Sequence, residues 1–311
     1  MRFFSSIILV ICFFSISANA QQDSVMFHPE RYVTLDSVII GKKIDISSFI
    51  RKVRDDSTFY KAFKTLRLVN YQSITDARMF GRNKNQTAML RLKLRQNRRN
   101  GCRSMEVIEE EHNGDIYDKN GAWNYYTLSM FASLFFTKGI VCNEHNLVGG
   151  EYFSLSQKSG LEKHKEQLKM LFFQPGRKID GIPMVSGKTG IFEENMLQHY
   201  DLLINEETIE GRSCLTLTQK VKPESVGQVV LDEMKTWLDQ ESNEVLARNY
   251  HLSFDAGVYD FDVRMDVKMS HVNGMLVPAL IRYDGNWKIM FQRRERSVFT
   301  ATFSDFLPES N

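Results

Sequence analysis

Phe261-Asp262-Val263-Arg264-Met265-Asp266-Val267-Lys268-Met269-Ser270 alternates apolar and polar side chains without a break. Successive side chains of a β-strand point to opposite faces, so this period of two describes a strand with one side in a core and the other in water. Asn273-Gly274 follows, then a run from Met275 to Tyr283, then Asp284-Gly285, then a run from Trp287 to Phe291 and a further one reaching Phe303. Asn-Gly and Asp-Gly tolerate the positive φ of tight hairpin turns, so residues 261–303 are predicted to form three consecutive antiparallel strands and a fourth, paired as a meander. No catalytic signature sits on this scaffold. Its long apolar face must be covered by helices, a second sheet, a partner or a ligand.

Working outward, strands are predicted over residues 200–204, 214–221, 229–238 and 245–254, with Pro278 at an edge or bulge because it cannot donate to a ladder. Leu90, Leu92 and Leu94 alternate with Arg91, Lys93 and Arg95, Asn100-Gly101 turns the chain, and Met105 and Val107 fall on the apolar side of the return strand. This reads as a second, independent hairpin. Residues 44–68 read as helix in two pieces, with Asp45 and Asp56 as N-caps and Phe49, Ile50, Val53, Phe59, Phe63 and Leu66 at helical spacing. Residues 123–136 are uncharged and aromatic, and Leu128, Phe131, Leu134 and Phe135 share one helical face. The uncharged run extends over residues 120–137, and Asn120, Gly121, Asn124, Thr127 and two serines within it make a buried or groove-covering helix the reading rather than a membrane span. Residues 158–173 form a charged amphipathic helix stopped by Pro175-Gly176, and the Gly- and Pro-rich residues 175–190 make a loop between two halves.

The fold class that follows is α+β, a curved antiparallel sheet forming an incomplete barrel and covered by helices. Residues 21–68 form an N-terminal helical segment, and residues 69–311 the sheet domain, with a helical insert at about 121–175. Residues 1–20 read as a signal peptide: Arg2, an apolar run over residues 3–16, and Ala18-Asn19-Ala20 before the cleavage point. That implies export, to the periplasm or outside the cell, with no transmembrane segment and no anchor cysteine in the mature chain. Lys and Arg number 40 against 38 Asp and Glu, a net charge of +2, which argues against a general nucleic-acid binder. Cys102, Cys142 and Cys214 remain after processing. An odd number leaves at least one thiol unpaired, and both a Cys102–Cys142 bridge and three small buried hydrophobes are open readings.

The motifs that carry chemistry are incomplete. Residues 181–189 place five residues, not four, between the first glycine and Gly187-Lys188-Thr189, which breaks the phosphate-loop pattern. Lys188-Thr189-Gly190 lacks the Ser-x-x-Lys and Ser-Asp-Asn that accompany it in penicillin-binding enzymes. Cys142, Glu144 and His145 lack further zinc ligands at characteristic spacing. Asp260, Asp262 and Asp266 alternate with Arg264 and Lys268 on the polar side of a strand, as a solvated charged face does. No catalytic residue, metal site or cofactor is assigned.

Tyr200-Asp201-Leu202-Leu203-Ile204, Glu207, Glu210-Gly211 and Cys214-Leu215-Thr216-Leu217 resemble the strand, turn and strand of the LolA-like lipoprotein-sorting superfamily, which carries a Gly at the turn. Met234-Lys235-Thr236-Trp237-Leu238-Asp239, Glu241 and Val245-Leu246-Ala247-Arg248-Asn249-Tyr250 resemble its next hairpin. The resemblance covers about a third of the chain and lies in its second half. It implies an incomplete barrel plugged by helices, whose concave face holds acyl chains of lipids or lipoproteins without covalent chemistry. The function expected is an exported, non-catalytic carrier or binding protein for the apolar part of a lipid or lipoprotein. The ligand-lining candidates are Leu90, Leu92, Leu94, Phe131, Phe135, Phe261, Met265, Met269, Trp287 and Phe291. Alternatives are a cell-envelope interaction or assembly module without a ligand cavity, and a hydrolase with an unrecognised carboxylate site.

Overall fold

A computed structural model describes residues 46–144, 167, 169–180, 185–255, 257, 259–289 and 293–309. The strands are β1 (Asn70–Phe80), β2 (Gln86–Arg99), β3 (Cys102–Asn113), β4 (Ile140–Cys142), β5 (Tyr200–Ile209), β6 (Arg212–Val221), β7 (Leu231–Asp239), β8 (Val245–Asp255), β9 (Tyr259–Val272), β10 (Met275–Ile289) and β11 (Glu295–Leu307). They form one antiparallel sheet of eleven strands in the order β4-β3-β2-β1-β11-β10-β9-β8-β7-β6-β5. The sheet is curved and open, with β4 and β5 as its edges. It is made of two meanders joined where β1 pairs with β11, for example Ala77 with Phe299. The β2–β3 hairpin is therefore not independent, because β1 carries it into the common sheet.

The alternation read from the sequence sets which side of each strand is buried. Two Asn-Gly turns form as expected, with positive φ at Asn100 (51°), Gly101 (72°), Asn273 (50°) and Gly274 (76°). Pro278 sits at a register shift in the β9–β10 pairing, between Pro278 and Leu280. Asp284-Gly285 does not turn the chain. It lies inside β10, with Gly285 paired to Val263 on one side and Ser297 on the other, so residues 261–303 hold three strands and not four. The glycine serves a close approach instead: a Cβ there would lie 2.0 Å from the Tyr283 hydroxyl. The Tyr283 ring folds over this bare backbone and stacks on Phe299, with centroids 4.7 Å apart and planes at 9°.

Three helices pack on the inner face: α1 (Ile46–Asp55), α2 (Thr58–Thr65) and α3 (Tyr126–Phe135). The Asp56 carboxylate separates the first two, accepting from the backbone N–H groups of Thr58 (2.8 Å) and Phe59 (3.3 Å). Asp45 lies outside the described residues. Residues 169–173 are helical and end before Pro175-Gly176, while residues 158–166 lie outside the described part. Phe63 of α2 meets Phe135 at 6.1 Å and Phe173 at 5.4 Å, and Phe131 of α3 meets Phe299 at 4.7 Å, so helices and sheet share one core. Among the described residues, no helix is long and apolar enough to cross a membrane.

At the β3 edge the cover thins. Met105 and Val107 pair with Gln96 and Leu94 and so share the inner face, yet Val107 is 56% exposed. A disulfide joins Cys102 to Cys142 and ties β4 to β3, while Cys214 is a buried free thiol. Glu144 ion-pairs with Arg103 and Arg67 beside the bridge, and these arginines hold its carboxyl below the usual range against the opposing pull of burial.

Two outcomes test this packing. Replacing both Cys102 and Cys142 with Ser removes a long-loop crosslink and is expected to cost about 2–4 kcal/mol in urea unfolding, where an unchanged midpoint would contradict the bridge. Gly285→Ala forces Tyr283 off its stack and is expected to cost about 1–3 kcal/mol by the same measurement; a neutral result would mean the ring does not lie over that backbone.

Candidate ligand-binding site

One row of paired residues crosses the inner face of the sheet: Leu202, Gln219, Met234, Tyr250, Met265, Tyr283, Phe299, Ala77 and Leu90 on successive strands from β5 to β2. Paired residues in an antiparallel ladder point to the same side, so this row is a single surface. All of its members are buried. Nine of the ten sequence-predicted lining residues, Leu90, Leu92, Leu94, Phe131, Phe135, Phe261, Met265, Met269 and Trp287, lie in the same core and are between 1% and 5% exposed. The structure brings these nine together, in contact with protein side chains. Phe291 lies outside the described residues.

Helix α3 covers this surface over β11. Phe131 packs on Phe299, and Phe135 on Phe303 at 5.6 Å. Its N-terminus has unpaired backbone donors, as every helix does. Glu295 of β11 satisfies them, accepting from Tyr126 N–H (2.6 Å), Thr127 N–H (2.9 Å) and the Thr127 hydroxyl (2.7 Å). The Trp287 indole N–H donates to the same hydroxyl at 3.0 Å. At the other end the Tyr71 hydroxyl donates to the Phe135 carbonyl at 3.3 Å. The helix is thus latched by a few polar contacts at its ends and by aromatic rings between them.

A second feature lies where α1 meets α2. A cavity of about 410 Å³ opens there, lined by Phe59, Tyr60, Phe192 and Met170 together with Arg177, Lys178 and Arg248. Arg248 occupies an inward position of β8, paired across the ladder with Thr236 and Val267. Its guanidinium lies over the Phe59 ring, 4.7 Å from the centroid, and its Nε donates to the Thr236 hydroxyl at 3.2 Å. Its ion pair with Asp56 is long, at 3.4 Å. Burial pushes this guanidinium below its ordinary pKa, with Asp56 acting in the opposite direction. Sequence reasoning passed over Arg248, although the signal is visible: Leu246, Arg248, Tyr250 and Leu252 put a cation in phase with inward apolar positions.

The carboxylates weighed from sequence do not converge. Asp262 accepts from or pairs with His251 at 2.8 Å, Asp260 pairs with Arg294, and burial raises Asp266 against the opposing influence of Arg282 and Lys268. Cys142 is held in the disulfide, Glu144 is engaged by arginines, and His145 lies outside the described residues. Among the described residues no three His, Cys, Asp or Glu side chains are grouped to hold a metal ion.

No family model matches the chain, and no curated protein does. Among solved structures it is similar to a LolA superfamily protein from Nitrosomonas europaea, at 12% identity and a TM-score of 0.23, over 82% of this chain and 93% of that one. A domain described as an outer membrane lipoprotein-sorting protein, from Vibrio parahaemolyticus, matches at 8% identity and a TM-score of 0.27, over 81% of this chain and 92% of that one. A DUF1329 family protein from Desulfovibrio piger matches at 10% identity and a TM-score of 0.25, over 82% and 93% of the two chains. At likenesses of this size, the architecture rests on the strand order and pairing given above.

Glu295→Ala leaves the first α3 donors without their acceptor. It is expected to cost about 1–2 kcal/mol and to speed hydrogen exchange over residues 126–135, while the strand amides of β9 and β10 keep their protection. Unchanged exchange in α3 would show that Glu295 does not hold it.

Proposed function

We propose that this protein is an exported, non-catalytic carrier that buries the apolar part of a lipid or lipoprotein against the concave face of its sheet. The observation that supports this reading best is the continuous row of buried, mostly apolar side chains across nine strands, covered over β11 by a separate short helix. An acyl chain presents the same kind of surface as the inner side chains of α3 and takes their place on Phe299 and Phe303. Magnitudes favour a long chain. Uncovering Leu128, Phe131, Leu134 and Phe135 costs about 2 kcal/mol for each side chain, and each buried methylene returns about 0.8 kcal/mol, so on the order of ten methylenes are needed. The Met265 and Met269 thioethers add adaptable contacts on the same face.

A second reading, an envelope interaction module, draws support from the open edges. Strand β4 has only three residues, and Ile140 on it is 75% exposed. An edge strand offers unpaired backbone groups to another chain.

Native mass spectrometry of protein purified without detergent separates the two. Lipid-sized adducts, and uptake of a fluorescent long-chain fatty acid by the delipidated protein, are the expected result. A clean apo mass with no uptake, accompanied by self-association, would replace the carrier reading with the module.

A further inference from the structure

We infer that the cavity at the α1–α2 junction is an anion site, built to take a carboxylate or phosphate group with the Arg248 fork at its floor. The cavity and its charges stand independently of the carrier reading; that the anion is the head of an amphiphile rests on it.

Arg248 carries the argument. Its side chain is 7% exposed, and its hydrogen bonds are spent unevenly: Nε goes to Thr236, and Nη2 reaches Asp56 at a long 3.4 Å. Nη1 donates to no acceptor among the described residues, and Arg248 lines the cavity. The Nη1 N–H bonds, with the Nη2 N–H that is not directed at Asp56, are therefore left for a ligand in the cavity that Arg248 lines. A guanidinium in that position is matched by the paired oxygens of a carboxylate or phosphate. Asp56 does not fill the role, because its oxygens are shared with Thr58 N–H (2.8 Å), the Thr58 hydroxyl (2.6 Å) and Phe59 N–H (3.3 Å).

The remaining charges around the cavity point the same way. Asp55 is held by both ends of the Arg54 guanidinium, at 2.7 and 3.0 Å. Arg177 and Lys178 line the opening and have no ion-pair partner among the described residues, with Glu193 the opposing acid. The cavity volume of about 410 Å³ is in the range of small-ligand sites. Its apolar wall leads inward: Phe59 meets Phe63 at 5.4 Å, and Phe63 meets Phe135 of α3 and Phe173. A ligand with a charged head at Arg248 would run its tail along these rings to the surface under α3. The site thus selects anionic amphiphiles over neutral or cationic ones.

The test uses the mature, delipidated chain and three probes: dodecanoate, its methyl ester, and inorganic phosphate. Dodecanoate is expected to bind about tenfold or more tightly than the ester. The Arg177→Ser/Lys178→Ser variant, whose changes are at exposed positions and are expected to leave thermal unfolding unaltered, is expected to shrink that gap several-fold. Arg248→Lys keeps the charge but loses the fork, and is expected to weaken dodecanoate further. Equal affinity for acid and ester, with no response to phosphate, overturns the anion site and leaves the carrier reading standing. Phosphate binding that the rim variant abolishes, with no gain from the twelve-carbon tail, upholds the site with a free anion as occupant and removes the carrier. No binding of any probe overturns both.

Discussion

An open sheet with one apolar face cannot stand bare in water, and that constraint organises the whole molecule. The inner row from Leu202 to Leu90 spans nine strands. At about 25 cal/mol per Å² of apolar area, its exposure would outweigh the net stability of a typical domain. Closure into a barrel would let the sheet cover itself, but β4 and β5 remain edges. The cover therefore comes from α1, α2, α3 and the segment ending at Phe173, which meet over the sheet through Phe63, Phe131, Phe135 and Phe173. A cover assembled from short pieces differs from a continuous second layer. Here α2, α3 and the segment ending at Phe173 hold one another through ring contacts as well as holding the sheet.

The polar groups inside the core mark where that cover is least uniform. Glu295, Thr127 and Trp287 form a satisfied network at the start of α3. Gln219, fully buried in the same inner row, has neither amide nitrogen nor oxygen hydrogen-bonded, a cost of about 1–3 kcal/mol. Arg248 keeps a charge where an apolar residue would pack at less cost, and its long contact with Asp56 compensates only in part.

How far this was legible in the sequence depends on the range of the interaction. Strand phase is local, so the alternation at residues 261–270, at Leu90, Leu92 and Leu94, and at residues 245–254 placed inward side chains on the inner face. Asp284-Gly285 carries the same signal as a true turn, and what separates it is the Tyr283 ring two residues earlier, a same-face neighbour that needs the space glycine leaves. The pairing of β1 with β11 joins residues more than two hundred positions apart and has no local signature. Strand β4 is too short for its alternation to be read, so the bridge from Cys102 to Cys142 stayed one option among two. The cavity at Arg248 is built from α1, α2 and residues 174–178 and 190–193, and no single stretch announces it, although the arginine itself stood in an inward phase.

The two ends of the inner face differ in chemistry, and the difference limits what can occupy it. Under α3 the surface is aromatic and its few polar groups are all engaged. Toward α1 and α2 it ends at the Arg248 guanidinium and at Arg177 and Lys178, which have no ion-pair partner among the described residues. A plain hydrocarbon would satisfy the first end and leave Arg248 as buried and as poorly compensated as before. A small anion would satisfy the second and give nothing in exchange for α3. Only a molecule with both parts would gain at each end, which is why the proposed ligand is an amphiphile with an anionic head. On the proposed reading, the rings of Phe59, Phe63 and Phe135 link Arg248 to Phe131, and the tail would follow them.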